Sequence, residues 1–252
     1  TMLAKRIPSI LPPLSLQEAM ETTIIHSIAG KLGVQQSLLA DRPFRSPHHT
    51  ISATALIGGG SNPQPGEITL AHHGVLFLDE LPEFSKHALE VMRQPLEDRI
   101  VNISRARYAV EFPANFMLIA SMNPCPCGYY NHPTKDCTCG AEVVQRYLNK
   151  ISGPLLDRID LHIEILPIQF EEMRKQTTNE SSLHIHDRVI RARKIQENRF
   201  EKYPMIQTNA MMDGGMIREM CPLDEHSEIR LKSAMNKLSL SARAYDRIIK
   251  VA

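Results

Sequence analysis

"HHGVLFLDELPEF", His72 to Phe84, decides how the chain is read. Four apolar residues, Val75 to Leu78, run straight into two adjacent carboxylates, Asp79 and Glu80. A short apolar run between a glycine and charged residues is the pattern of a strand buried on both faces. Acids at the end of such a strand are costly to keep unless a cation or a hydrogen-bond donor meets them. In open α/β sheets ligands gather at the carboxyl ends of strands. Magnesium carrying nucleotide phosphates suits the acid pair, one carboxylate holding the ion and the other orienting an attacking water. The plainer reading has the same acids capping the next helix or pairing with a basic residue.

"FMLIASMN" repeats the pattern and predicts a second buried strand that ends on a polar residue, Asn123. Between the two strands "SKHALEVMRQPLEDR" reads as one helix capped by Ser85, and "IVNISRARYAVEF" alternates as a hairpin with Arg105 and Arg107 near its tip. Upstream, "TMLAKRI" reads as a helix that stops at "PSILPPL". A second helix starts at Ser15, with Glu18 completing a capping box and Gly33 as terminator. The stretch Gly58 to Gly66 predicts a loop or hairpin that projects from the body. Downstream come the helix "AEVVQRYLNKI", the segment "PLLDRID" and the strand "LHIEIL". Strands alternating with helices imply an α/β core with a mostly parallel sheet over residues 1–168. After Pro167 the pattern turns helical, which predicts a small all-helical domain over 169–252.

Bulk composition narrows the function classes. The 252 residues carry a net charge of +1, so any contact with nucleic acid rests on a local patch. Hydrophobic content of 42% and charged content of 23% are those of a soluble globular protein. No apolar run approaches the roughly 18–20 residues of a membrane span, so no membrane partner is expected. Four of the five cysteines crowd into Cys125–Cys139, unlike a secreted disulfide framework, and a cytoplasmic protein is expected.

Those four, Cys125, Cys127, Cys137 and Cys139, form two C-x-C pairs. Four thiolates closing a short loop suit structural zinc, with His132 as a substitute ligand; four reduced thiols in a surface loop are the alternative. Cys221 reads as a lone buried thiol. His48-His49 and His72-His73 flank the glycine-rich stretch. Neighbours on a strand point to opposite faces, so one buried and one exposed histidine is expected in each pair rather than a metal site.

Taken together, several segments resemble an AAA+ ATPase. "GVLFLDE" is similar to a Walker B motif, which makes Asp79 the magnesium acid and Glu80 the catalytic glutamate. "LIASMNP" resembles sensor 1, with Asn123 near the γ-phosphate, and "SGPLLDRIDL" resembles the arginine-finger segment, with Arg158 offered to a neighbouring subunit. "LSARAYDRIIKVA" resembles sensor 2, carried by Arg243 in a helical lid. More narrowly, "RPFRSPHHTISATALIGGG", "PGEITLAHHGVLFLDELPEF" and "SARAYDRI" are similar to the magnesium-chelatase-like, competence-associated family (ComM/YifB type). That resemblance implies ATP and Mg2+ as cofactors, a hexameric ring as the working form, and DNA branch migration by a helicase as the activity. It also makes the Arg105–Arg107 hairpin a pore element that tracks nucleic-acid phosphates, with the glycine-rich stretch as a second pore loop. Motors that remodel a protein or serve porphyrin metallation, and a non-catalytic oligomerisation module, remain open alternatives. In the family a GxxGxGK loop precedes "TMLAKR"; the sequence opens at Thr1, which matches the threonine of that loop. The expectation is a partial ATPase core with weak or no ATP binding of its own.

Overall fold

Pro8 sets the first element. It has no N–H to donate, and instead of an α-helix over Thr1–Ile7 the chain forms a 3-10 helix, Ala4–Ile10. In a computed structural model residues 1–33, 36–105, 108–165 and 180–252 are described. Helix α1, Leu16–Ile28, opens with the expected capping box: the Glu18 amide donates to Ser15 Oγ, and the Ser15 amide donates to a Glu18 carboxylate oxygen at 2.8 Å. It closes before Gly33. Gly30 takes φ 63°, its amide donates to Ser27, and the Lys31 amide donates to His26, which is the paired closure that a left-handed glycine allows.

The sheet has three parallel strands. β1 is Phe44–Arg45; the small antiparallel pair β2, Gly58–Gly59, and β3, Gln64–Pro65, follows helix α2, Ala53–Ile57; α3 is Glu67–Leu70; and β4 is Val75–Leu78. β4 lies between β1 and β7, Met117–Ala120, in the order β1-β4-β7. All four residues of β4 are buried, as a run with no polar alternation requires. The glycine-rich stretch forms the short β2–β3 hairpin, with Gly60, Ser61 and Asn62 exposed at its turn and Gly58 and Gly66 buried at its base. β5, Ile100–Arg105, pairs with β6, Tyr108–Pro113, in the expected antiparallel hairpin; Arg107, expected near its tip, lies outside the described residues. Leu56, Ile68, Leu78, Leu89, Met92 and Leu155 are core residues gathered around the sheet.

Two expectations are corrected. The helix after Ser85 is two helices, α4, Lys86–Glu90, and α5, Arg93–Asp98. Pro95 offers no N–H to the Val91 carbonyl, so the helix breaks at Val91–Met92. The strand expected at "LHIEIL" does not form over 161–165, where Leu161, Ile163 and Ile165 are exposed. A strand needs a hydrogen-bonded neighbour, and among the described residues β7 pairs only with β4.

After α6, Ala141–Leu148, and α7, Gly153–Leu156, the remaining described elements are helical. α8 is Ser182–Arg199, α9 Gly214–Met220, α10 Glu225–Leu238 and α11 Ala242–Val251, and each starts from a side-chain cap: Ser181, Asp213, Asp224 and Ser241. Phe200, Met212, Ile217 and Ile249 form their own apolar cluster. The division expected at 168/169 falls outside the described residues.

A polar hub ties α1 to the sheet. Arg42 donates to the Pro12, Pro13 and His73 carbonyls and forks onto both Glu18 oxygens at 3.2 Å. His72 and His73 do not split between two faces: both side chains are buried, and both meet Glu21 Oε2, at 3.3 Å and 2.7 Å. They sit just before β4 rather than in it, and His73 adopts φ 55°, which breaks the alternation. The pair His48–His49 follows the expectation more closely, with His48 exposed and His49 half-buried.

Burial, aided by the charge of His73, holds His72 down to about 4. Burial pushes Glu21 up, but hydrogen bonds from His73, Gln17 and His72 outweigh it and bring Glu21 to about 2. The sign follows for both. Between pH 6.5 and about 4 the unfolded chain takes up a proton that folded His72 refuses, so stability falls with pH. From 4.5 toward 2 the loss of the ionised Glu21 continues the fall. Denaturant midpoints are expected to drop from pH 6.5 downward, and His72→Gln to flatten the slope between 6.5 and 4; a flat profile in the unaltered protein would contradict this. A second expectation concerns Gly74, where an added Cβ would lie 2.1 Å from the Pro43 carbonyl oxygen, at the β1–β4 junction. Gly74→Ala should cost about 1–3 kcal/mol in urea unfolding.

Candidate functional site

The parallel register carries chemistry past the ends of the strands. Leu78 pairs with Ala120, so the next residues, Asp79 and Ser121, stand level with each other. The Ser121 amide donates to the Leu78 carbonyl at 3.0 Å, and the Ser121 carbonyl accepts the Leu81 amide at 2.9 Å. Ser121 Oγ donates to Asp79 Oδ1, and Thr1 Oγ1 donates to Asp79 Oδ2. The Ser121 hydroxyl first, then that of Thr1, holds the Asp79 carboxyl below its usual range. Asp79 is thus an ionised acid, half-buried, with each oxygen already oriented. Its remaining lone pairs and its hydroxyl neighbours are hard oxygen donors, which suit Mg2+.

Glu80 is exposed and held in the left-handed region, φ 56° and ψ 51°. Asn123 is exposed two residues beyond Ser121. Four of the expected residues, Thr1, Asp79, Glu80 and Asn123, therefore gather at the carboxyl ends of β4 and β7. Ser121 was missed by pattern reading, although its signal is in the sequence: it follows one apolar strand as Asp79 follows the other.

Arg158 and Arg243 meet elsewhere. Arg158 is buried just after α7; one guanidinium nitrogen donates to the Pro154 carbonyl at 2.7 Å and another pairs with Glu97 of α5. Its Nε has no partner among the described residues. Arg243, at the start of α11, lies 3.5 Å from the same Glu97. Arg247, one turn on, donates to the Arg158 carbonyl and pairs with Asp160. Among the described residues neither Arg158 nor Arg243 bonds to Asp79, Glu80 or Asn123. Nothing in the local sequence singled out Glu97.

The cysteines converge. Cys125, Cys127, Cys137 and Cys139 bring their sulfurs within 4.8 Å of one another, with Cys125–Cys127 at 3.3 Å, Cys127–Cys137 at 3.5 Å and Cys125–Cys137 at 3.7 Å. Hydrogen bonding to the Tyr129 backbone brings the Cys127 thiol down to about 5. The Cys139 backbone pulls Cys137 down too, but desolvation and the neighbouring sulfurs win and push it up to about 12. His132 is not in the cluster; its Nδ1 accepts the Thr134 amide at 3.2 Å. Cys221, expected to be buried, is half-buried.

Glu21, His72 and His73 also converge, yet they do not fit a metal. A ligating imidazole gives one lone pair and donates its other N–H. His72 Nδ1 instead accepts the Asn115 amide at 3.0 Å, so Nε2 carries the hydrogen that faces Glu21.

Comparison with known proteins now bears on this geometry. Residues 1–173 match the family described as magnesium chelatase, subunit ChlI, and residues 179–252 match its C-terminal family. The chain is 45% identical over its whole length to the protein YifB of Escherichia coli (strain K12), covering 48% of that protein. It is 44% identical to the competence protein ComM of Haemophilus influenzae, again covering 48% of it. Against the magnesium-chelatase subunit ChlI of Cyanidium caldarium the identity is 25% over 147 residues, 58% of this chain and 35% of that one. The chain spans about half the length of the YifB and ComM proteins it matches. With two family models spanning nearly all of its length, the chain belongs to the magnesium-chelatase-like family of AAA+ proteins, in the branch that contains YifB and ComM.

Proposed function

We propose that the protein hydrolyses ATP in a ring of subunits, hexameric by family resemblance, and couples hydrolysis to DNA remodelling of the branch-migration kind in the cytoplasm. The observation that carries this reading is Asp79, ionised and fixed from both sides by Thr1 and Ser121, with Glu80 exposed beside it. Mg2+ with ATP would be held at Asp79 and Thr1 and would supply neutralisation of the charge on the transferring phosphoryl group. Glu80 then accepts a proton from the water it orients, and Asn123 offers its amide to the terminal phosphate. Arg158 would complete a neighbour's site once freed from Glu97, and Arg243, on the same carboxylate, would couple the helical lid to nucleotide state. DNA as the client is supported by the family branch, which includes a competence protein, and by the β5–β6 hairpin with Arg105 and Arg107 in its sequence. Among the described residues no helix is long and apolar enough to cross a membrane.

A second reading keeps the ATPase and changes the client to a protein or to porphyrin metallation, favoured by the family's chelatase members. Non-catalytic oligomerisation or binding is the third. One experiment separates them: ATPase of the complete protein, with and without single-stranded and branched DNA. Stimulation by DNA is expected, with Glu80→Gln lowering turnover about 10²–10⁴-fold. Activity indifferent to DNA would move the client to a protein or porphyrin, and no activity would leave a binding module. Residues 1–252 contain no glycine-rich loop with a lysine, so by themselves they are expected to bind ATP weakly. A titration giving micromolar affinity would refute that.

For the cysteines the proposal is structural zinc. Ligands at about 2.3 Å in a tetrahedron hold their sulfurs roughly 3.8 Å apart. The separations of 3.3 to 3.7 Å among Cys125, Cys127 and Cys137 need only a small expansion, and the Cys139 sulfur lies within 4.8 Å of the other three. Four protein sulfurs leave no open position, so the metal would stiffen the loop after Asn123 rather than act on substrate. Elemental analysis should find one zinc per chain, lost in Cys125→Ser together with thermal stability; five freely titrating thiols and no metal would remove the proposal.

A further inference from the structure

Glu80 is an exposed side chain, and as the base of ATP hydrolysis it would have to act with precision. Its side chain is 57% exposed, on a backbone in the left-handed region. A general base on a freely rotating side chain spends little time in the productive geometry, and catalysis falls steeply with misplacement. Among the described residues one side chain stands at ion-pair distance from it: His49, with Nδ1 3.4 Å from Glu80 Oε2. We propose that His49 is the positioning residue for Glu80.

His49 is itself held. Its ring meets the edge of Phe84 at 6.4 Å between centroids, and Phe84 is a buried core residue close behind Glu80. On its other side it packs on His48 at 4.0 Å, and His48 Nδ1 lies 2.9 Å from Thr50 Oγ1. The shelf is placed by the sheet: β1 and β4 are neighbouring parallel strands, and His49 lies four residues past Arg45 as Glu80 lies four past its partner Leu76.

The chemistry gives the pairing a direction. A nitrogen that faces a carboxylate oxygen carries its hydrogen, so Nδ1, 3.4 Å from Oε2, is the atom that would donate once the ring aligns with the carboxylate. Oε1 keeps its lone pairs for water. His49 therefore fixes the rotamer of the base without consuming its basic oxygen, and it stands apart from the Asp79 oxygens that Thr1 and Ser121 orient.

The role rests on the ATPase reading, and the test separates the two. In the complete protein, steady-state ATPase is measured for the unaltered form, His49→Ala, His49→Asn, Glu80→Gln and the double variant His49→Ala/Glu80→Gln. His49→Ala is expected to lower kcat on the order of tenfold with KM for ATP nearly unchanged. His49→Asn, whose amide N–H can still reach Oε2, is expected to restore most of that loss. In the Glu80→Gln background the His49→Ala change should cost nothing further, because a residue acting through Glu80 has nothing left to position. A kcat unmoved by His49→Ala would overturn the role, as would a rise in kcat, which would make His49 a brake. KM rising in step with the loss, no rescue by Asn, or full additivity in the double variant would reduce His49 to a structural part and overturn it equally. Should His49→Ala fail to fold, His49→Asn and a His49→Gln variant carry the same comparison against Glu80→Gln. No turnover in the unaltered protein overturns the ATPase reading, and this role with it.

Discussion

The register between β4 and β7 is the constraint on which the rest depends. A slip of one residue turns every side chain of a strand to the opposite face, so packed neighbours of different shape on the two faces hold a strand to its register. Here the four-residue match from Val75↔Met117 to Leu78↔Ala120 fixes the level of the first polar residues beyond. Asp79 and Ser121 face each other as a consequence. Ser121 then serves twice: its backbone continues the ladder to Leu78 and Leu81, and its hydroxyl orients the acid. A one-residue slip would place Ala120 or Met122 opposite Asp79, and neither side chain can donate a hydrogen bond.

That same logic explains what could be read directly from the sequence. Apolar runs ending on polar residues gave β4 and β7, although β7, expected to be buried, has Met117 exposed and its other three residues only half-buried; period-two alternation gave the β5–β6 hairpin, and the Ser15–Glu18 spacing gave the start of α1. Each is a local signal, complete within a few residues. Misreadings arose where a distant or special partner decides. "LHIEIL" has the composition of a strand, but no described strand lies beside it to take its hydrogen bonds. Pro95 was visible, yet its effect falls on the Val91 carbonyl, four residues earlier, which is where the helix breaks. His72 and His73 depend on one backbone angle that composition does not encode. Within the site, Asp79, Glu80 and Asn123 were legible because their positions follow from strand ends. His49 and Glu97 were not, because each matters only through a partner far along the chain.

Glu97 shows how burial turns a charge into a geometric device. Arg158 is almost wholly buried, and a buried guanidinium without a counter-charge is very unfavourable. Glu97 answers that need from α5, a helix that exists as a separate unit because Pro95 breaks the longer one. Its second oxygen is then available to Arg243, which is more exposed. One carboxylate so registers a core arginine against the first turn of α11, while Arg247 repeats the tie through Asp160 and the Arg158 carbonyl. Movement of α11 would have to break these charge-assisted bonds, and they are stronger than neutral ones. Arg158 and Arg243 therefore respond to a nearby anion as a coupled pair rather than as two independent cations.

Beyond β7 the chain places a polar or sulfur side chain at every second residue from Ser121 to Cys127. Ser121 orients Asp79, Asn123 is two residues further, and Cys125, fully buried, is two residues further again. Seven residues past the strand the chain has also committed Cys127, and Cys137 and Cys139 close the loop on the same cluster. A loop of this length with exposed Tyr129 and Tyr130 and no strand of its own has little apolar burial to hold it. Its order rests on the sulfur cluster at one end and the β7 register at the other. Asn123 lies between those two fixed points, so a polar side chain that is itself exposed is still carried on backbone pinned from both sides.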